Sequence, residues 1–485
     1  MNKVYVTTTI PYVNAKPHVG FALELVQADA VARYHRLLGH DVRLQTGTDE
    51  NAFKNVLAAR EHGVPTQQWV DENSLAFQKL GASLNIGFDD FIRTTEDRHR
   101  RGVHLFWRHL RPGDVYRGRY TGLYCVGCED FLTERDLVGG CCPDHGVPPS
   151  PCEEENYFFR LSSYQEPIQR LIESKAINVI PIKRRNEVLA FVRRGLQDIC
   201  ISRSASRSDG WGIPVPGDPS QVIYVWIDAL VNYICGPGYG TGERWTEWWS
   251  DDVRKIHFIG KNVWKFHAVY WPGLLLSAGL PLPNQIVVHG FLTEDGRKIS
   301  KSSSTGADPN RFIDEYGTEA LRYYLLGAVS PFEDGDFSPE RLHRIYHSDL
   351  ANGLGNLVCR LITLGRKINL HGLDWPLLPQ APDGFHEAFD KYRTDIALET
   401  LWAVVERLNQ KIDQTRPWEL IPRQETEKLR SLLVEWLRQL QAVAFWVEPF
   451  LPLTSERLLS LLGSPHLPAA PRLFPRINKP PDRSA

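Results

Sequence analysis

The stretch "KVYVTTTIPYVNAKPHVGFALELVQADAVARYHRLLGHDVRLQTGTDE", Lys3 to Glu50, decides the fold. Residues 3 to 10 are rich in β-branched side chains and read as a strand. "ALELVQADAVARYHRLLG" then carries apolar residues at helical spacing up to a terminating glycine, and "HDVRLQTGTDE" reads as a second strand. Strand, turn, helix and strand at this length make a βαβ unit, which implies a parallel sheet with its ligand site at the carboxyl ends of the strands. The joining segment "PYVNAKPHVG" sets His18 and Gly20 at a helix N-terminus. Unpaired N–H groups and the helix dipole favour a phosphate there. An ordinary βα loop with a capping histidine would carry the same residues.

Beyond this unit the texture changes between about 115 and 150 to Cys, Gly, Tyr and Pro, as expected of a small inserted module. A second α/β stretch follows, with "KIHFIG" and "NQIVVHGFL" as short buried strands around the helical "VWKFHAVYWPGLLLSAG". From about 338 the pattern is helical almost throughout, which predicts a bundle. The expected division is 1–114 for the first half of a Rossmann-type α/β domain, 115–160 for the inserted module and 161–335 for the second half. A helical domain at 338–464 and a proline-rich, extended or loose tail at 465–485 complete it.

The 485 residues are 42% hydrophobic, enough for at least one large core, and 56 Lys+Arg against 58 Asp+Glu leave a net charge of −2. That balance excludes a global basic field but not a local patch for a polyanion. No apolar run approaches the length of a membrane span, and "MNKVYVTTTI" lacks the pattern of a secretory leader, so a cytoplasmic protein without a membrane partner is expected.

Four of the eight cysteines lie between Cys125 and Cys142. Cys125-x2-Cys128, thirteen residues, then Cys142-x2-His145 supplies three thiolates and an imidazole at tetrahedral zinc spacing. With four protein ligands the Zn2+ would be structural, holding a module too small to bury its own core. Cys141 is the rival to Cys142, and four reduced cysteines without metal are the plainer alternative. Farther along, "DGRKISKS", Asp295 to Ser302, places two lysines three residues apart on a serine-rich loop. Such a loop is either a solvated surface feature or a mobile closure that neutralises a triphosphate.

Taken together, the His18–Gly20 turn and Lys298-Ile-Ser-Lys301-Ser302 resemble the paired HIGH and KMSKS signatures of class I aminoacyl-tRNA synthetases. "TGTDE", "DDFIRTTEDRH", "GLYCVGCE", "ISRSASR", "YVWIDALVNY", "HFIGK", "HAVYWP", "EALRYYLL", "GLGNLVCR" and "RPWEL" narrow the resemblance to methionyl-tRNA synthetases over about Val4 to Leu420. The resemblance implies ATP, with Mg2+, bound by His18, Gly20, Lys298, Ser300 and Lys301, of which His18, Lys298 and Lys301 would act on the reacting phosphates. It implies a methionine pocket of Tyr12, Trp226, Ala229, Leu230, Tyr233, His267 and Trp271, with Asp49 on the substrate ammonium. Read without it, Trp226 and Tyr233 would pass as core packing. Asn356, Arg360 and Trp418 match the positions through which the family reads an anticodon; helix capping and packing are the alternative.

Several positions depart from the family pattern. Phe21 stands where the first signature ends in histidine, and a phenyl ring donates no hydrogen bond. Asn51-Ala52 replaces the His-Gly of "TDEHG", Asn262 replaces the aspartate of "GKD", and Ser304 replaces a glycine in the lysine loop, where Ile299 for methionine is milder. Tyr270 replaces a frequent phenylalanine. Two functions are therefore expected to compete. One is activation of methionine by ATP and its transfer to tRNA(Met). The other is a ligase of specialised metabolism, of the hydrazine-pathway type, passing the activated amino acid to a small amine or hydroxylamine.

Overall fold

The computed structural model describes residues 2–125, 130–132, 134–143, 146–294, 297–299, 308–371 and 375–477. The chain divides into two compact units. The first comprises Met1–Pro17, Gly39–Lys79 and Gly87–His289; the second comprises His18–Leu38, Leu80–Ile86 and Gly290–Ala485.

The first unit is built on six strands, β1 (Lys3–Thr8), β2 (Asp41–Thr48), β3 (Asp90–Arg93), β4 (Asn178–Ile180), β5 (Val253–Gly260) and β6 (Gln285–His289). They form one sheet in the order β3-β2-β1-β5-β6-β4. Every pairing is parallel, with Tyr5 level with Arg43 on one side and Lys255 on the other. Strand β5 is buried on both faces from Lys255 to Gly260, as an interior parallel strand is expected to be. The order reverses between β1 and β5, so their carboxyl ends open the crevice where α/β sheets bind ligands. Gly47 is required in β2: a Cβ there would lie 2.0 Å from the Ile92 carbonyl oxygen of β3.

Between β3 and β4 the chain forms helix α2 (Asp97–His109) and then a four-stranded antiparallel sheet. Val115–Cys125 pairs along its length with Ser150–Phe159, flanked by Asp130–Leu132 and Ile199–Cys200. At the far end of this ribbon Cys125, Leu132 and Cys142 make a small separate apolar cluster. A further small sheet of Ser202–Ser204, Pro214–Val215 and Asp218–Ile223 leads directly into the short helix α3 (Val225–Leu230).

In the second unit, helix α1 (Val19–Leu37), which the chain inserts between β1 and β2, is buried along most of its length. A three-stranded sheet of Leu292–Glu294, Arg297–Lys298 and Gly335–Asp336 precedes a run of helices. The run includes α4 (Asn356–Lys367), Thr394–Thr415, Thr426–Trp446 and Pro452–Leu462, whose buried leucines recur at helical spacing. Buried charge locks α1 into this unit. Arg322 and Asp29, both without exposed side-chain surface, pair at 2.7 Å. The Arg322 guanidinium also donates to the carbonyls of Leu84, Pro449 and Phe450. Arg33 bridges Asp29 at 2.8 Å and Glu448 at 2.7 Å.

After Ser464 the proline-rich segment is extended, and through residue 477 it is also pinned. The Tyr346 hydroxyl donates to the Pro475 carbonyl at 2.6 Å, Arg476 donates to Asn352, and Leu467 and Leu473 are buried. Among the described residues, no helix is long and apolar enough to cross a membrane.

Removing one member of a buried ion pair strands the other without solvent. Arg322→Met is expected to lower the unfolding free energy by about 3 to 5 kcal/mol. The double variant Asp29→Leu/Arg322→Met is expected to recover part of that loss in urea titrations. A double variant no more stable than the single one would show that the pair is not the source of the stability.

Candidate active site

Three loops at the carboxyl ends of β1, β2 and β3 are stitched together. Asp49 donates its backbone N–H to the Pro11 carbonyl at 2.9 Å, and Tyr12 and Asp49 form an isolated parallel bridge. The loop after β2 is in turn fastened to the loop after β3. Glu50 N–H donates to the Thr94 hydroxyl at 2.9 Å, and Thr94 N–H donates to the Thr48 carbonyl at 3.2 Å. The fully buried Glu50 carboxylate takes a bidentate contact from Arg93, at 2.6 and 3.0 Å. These bonds fix the backbone around Asp49, which is 1% exposed.

The aromatic residues assemble beside it. The Tyr12 ring lies 6.0 Å from Trp226, which stacks on Phe266 at 3.9 Å. Trp226, Ala229 and Leu230 all come from α3, and Tyr233 follows on the next turn. The Tyr233 hydroxyl meets His267 Nε2 at 2.7 Å, and His267 Nδ1 meets the Val263 carbonyl at 2.9 Å. A carbonyl only accepts, so Nδ1 carries the proton and Nε2 accepts from Tyr233. Trp271, fully buried, lies 6.3 Å from Tyr233. His267 sits in a π-helical turn, Phe266–Tyr270, a local widening that re-aims side chains and recurs at functional sites. All eight residues expected to form the amino-acid pocket thus fall within the first unit, as an Asp49–Tyr12–Trp226 group and a Tyr233–His267–Trp271 group linked by the helical run from Trp226 through Ala229 and Leu230 to Tyr233.

Sequence reasoning missed what lies behind this wall. His257 of β5 packs its ring 4.2 Å from Tyr233 and bonds the Thr7 hydroxyl at 2.6 Å. Asp228 of α3, with no exposed surface, holds His99 Nε2 at 2.8 Å and the Asn51 amide nitrogen at 2.9 Å. A charged residue inside the apolar run "YVWIDALV" was the available signal for Asp228; His99 was hidden in the charged run "TEDRHRR".

The phosphate-binding candidates fall in the second unit. His18 caps α1, and its Nδ1 accepts the Gly20 N–H at 3.0 Å. A Cβ on Gly20 would lie 2.8 Å from that imidazole, so glycine leaves the ring room to cap the helix in this position. Phe21 is buried, and its N–H bonds the His18 carbonyl at 3.0 Å. The Lys298 backbone pairs with Thr293, and Ile299 is buried, which suits an apolar side chain there. Ser300, Lys301 and Ser304 lie outside the described residues, as does the Lys298 side chain. Asn262 is exposed on the turn after β5.

Also in the second unit, Asn356 and Arg360 lie one turn apart on α4. Arg360 stands 5.7 Å from the ring of Trp418, which is 41% exposed, and bonds Asp413 at 2.5 Å. Of the metal candidates, Cys125 and Cys142 are both buried in the small cluster, and Gly146 N–H turns back to the Cys142 carbonyl at 2.8 Å. Cys128 and His145 lie outside the described residues; among the described ones no group of three metal donors occurs.

Burial sets the charge state of the pocket. It pulls the His267 imidazole from 6.5 down to about 4, against the opposing bond to Val263. Burial, then the neighbouring His267 and Lys255, holds His257 well below its usual value. Both rings are neutral near pH 7. An unfolded chain takes up these protons near pH 6.5 and the folded chain only at lower pH. The stabilisation is therefore complete above about pH 6.5 and is lost as pH falls toward 4. For His267 alone the difference is about 3 kcal/mol. The urea midpoint is expected to fall between pH 7 and pH 5, and His257→Asn to flatten that fall; an unchanged pH slope in the variant would contradict the assignment.

Comparison with known proteins agrees with this geometry. The chain matches the family described as tRNA synthetases class I (M) over residues 4–148 and 144–362. It is 39% identical to the methionine–tRNA ligase of Thermotoga maritima, over 97% of this chain and 77% of that protein. It is also 39% identical to the methionine–tRNA ligase of Brucella melitensis, over 96% and 92%. The crystal structure of Mycobacterium tuberculosis methionyl-tRNA synthetase bound by methionyl-adenylate superposes with a TM-score of 0.89 at 35% identity, covering 98% of this chain and 100% of that one. With a parallel α/β sheet, the two spaced signatures and similarity along nearly its whole length, the chain belongs to the class I aminoacyl-tRNA synthetase family, in its methionyl group.

Proposed function

We propose that this protein activates methionine with ATP and transfers it to tRNA(Met). The observation that carries the reading is the aromatic wall in which Tyr233 and the neutral His267 satisfy each other, with Asp49 bridged to Tyr12 of the same group of residues. Because the Tyr233 proton is already given to His267, that pair offers a competing polar side chain little. A polarizable thioether, which needs no hydrogen bond, fits that wall. Asp49 receives the α-ammonium. Tyr12, Trp226, Ala229, Leu230, Tyr233, His267 and Trp271 enclose the side chain.

The methionine carboxylate oxygen attacks the α-phosphorus of ATP, and the bond to the departing pyrophosphate breaks. His18 and Gly20 at the start of α1, with Lys298, Ser300 and Lys301, bind the phosphates and balance the charge that builds on the leaving group. Mg2+ carried by ATP would share that neutralisation. The adenylate then passes its acyl group to the terminal ribose of the tRNA, with AMP leaving. Arg360 and Trp418, whose guanidinium and indole lie 5.7 Å apart, offer a hydrogen-bonding and a stacking surface and, together with the exposed Asn356, support anticodon reading. They favour tRNA over a small acceptor, as do the names of the relatives. A cytoplasmic setting follows from that role.

The ribbon at 115–160 supports the division into an inserted module between two catalytic halves, ahead of the helical domain and tail. Cys125 and Cys142, buried in one three-residue cluster, fit two corners of a structural Zn2+ site that Cys128 and His145 would complete. So small a cluster cannot stabilise the ribbon's end alone.

Methionine-dependent exchange of pyrophosphate into ATP tests the function across all amino acids, followed by acylation of tRNA(Met). Lys301→Ala is expected to slow exchange at least about a hundredfold with the fold retained. Exchange driven by another amino acid, or an unaffected variant, would overturn the reading. Elemental analysis is expected to find one zinc per chain and less in Cys125→Ser; metal-free protein of full stability would remove the metal from the account.

A further inference from the structure

The geometry points to Asn51, Asp228 and His99 as a positioning relay that sets the distance between the ammonium-binding carboxylate and the wall of the side-chain pocket. This rests on the assignment of Asp49 and α3 under the proposed function.

One residue reaches both anchors. The backbone N–H of Asn51 donates to Asp49 Oδ1 at 3.2 Å. Its side-chain nitrogen spends both protons, one on Asp228 Oδ2 at 2.9 Å and one on the Thr94 carbonyl at 3.2 Å. Asp228 sits within α3 between Trp226 and Ala229, so this bond ties the loop of Asp49 to the helix that supplies the wall. His99, from the first turn of α2, takes the other Asp228 oxygen at 2.8 Å. Asp49, Asn51, His99 and Asp228 are all buried, at 1%, 7%, 0% and 0% exposure. No solvent can replace a lost bond there, and a hydrogen bond to a buried charge holds its geometry firmly.

A substrate gripped at its ammonium by Asp49 and along its side chain by α3 is measured between these two points. Loosening Asn51 frees Asp49 to drift relative to the wall while leaving both in place. Ligands that carry an ammonium then lose affinity, and ligands without one do not. A residue that only supported the fold would weaken both kinds alike.

Calorimetric binding of methionine and of its deamino analogue separates the cases. In Asn51→Ala, which removes both side-chain donors, the ratio of the two affinities is expected to fall about tenfold, the size of one bond to a charged group. The KM for ATP is expected to stay within about twofold, since the relay touches no phosphate contact. Asn51→His, which keeps an N–H for Asp228, is expected to restore most of the ratio. Asp228→Asn gives an independent reading, and thermal unfolding of each variant reports its fold. Equal weakening of both ligands in Asn51→Ala, or no rescue by histidine, would overturn the relay. A wild-type protein that binds both ligands equally would instead overturn the assignment of Asp49, whatever the variants do.

Discussion

A carboxylate can select an ammonium in a water-poor pocket only if the protein itself holds that carboxylate in place. Around Asp49 the task falls to backbone N–H groups and neighbouring loops: the Pro11 carbonyl takes its N–H, Asn51 donates to its oxygen, and Thr94 fastens the loop from behind. Everything else in the first unit depends on that stitching. The parallel sheet brings the ends of β1, β2 and β3 to one edge, and the order reversal between β1 and β5 leaves room beside them. Helix α3 closes the other side with aromatic surface. Its one buried carboxylate, Asp228, is matched by an amide and an imidazole, so the cost of desolvating it is offset by fixed hydrogen bonds.

The pocket combines polar atoms with an apolar character. Tyr233 and His267 are hydrogen-bonding groups, yet they face each other, and burial keeps the imidazole uncharged. His257 packs behind, tilted against Tyr233, as a second neutral ring. Against the Tyr233–His267 pair a charged or strongly hydrogen-bonding side chain would lose hydration with little gained. A thioether loses little. Selection by mutual satisfaction of the wall and selection by the ammonium partner act at opposite ends of one substrate.

Much of this was legible in the chain itself. The βαβ opening was readable because its strands and helix have different hydrophobic periods and a glycine ends the helix. The helical run beyond 338 was equally plain. "NQIVVHGFL" looked like one strand but ends at His289. A Cβ on Gly290 would lie 2.1 Å from the Glu333 carbonyl oxygen, so the chain must turn past a distant segment, and Leu292–Glu294 joins a different sheet. "VWKFHAVYWPGLLLSAG" is helical as its pattern says, but no pattern announces the π-helical turn that aims His267. Trp226 and Tyr233 look like core residues by composition, and only motif resemblance marked them for a site. Asp228, His99 and Asn51 were invisible as a group because their partnership spans 177 residues of chain between Asn51 and Asp228. Such long-range pairing is set by the fold and leaves no local trace.

The central claim is that methionine lies between Asp49 and the α3 wall. A crystal structure of the protein with methionine tests it most directly. The account predicts the ammonium within hydrogen-bonding distance of the Asp49 carboxylate and the thioether against Trp226, Tyr233 and His267. Methionine bound with its ammonium away from Asp49, or seated outside this pocket, would contradict it.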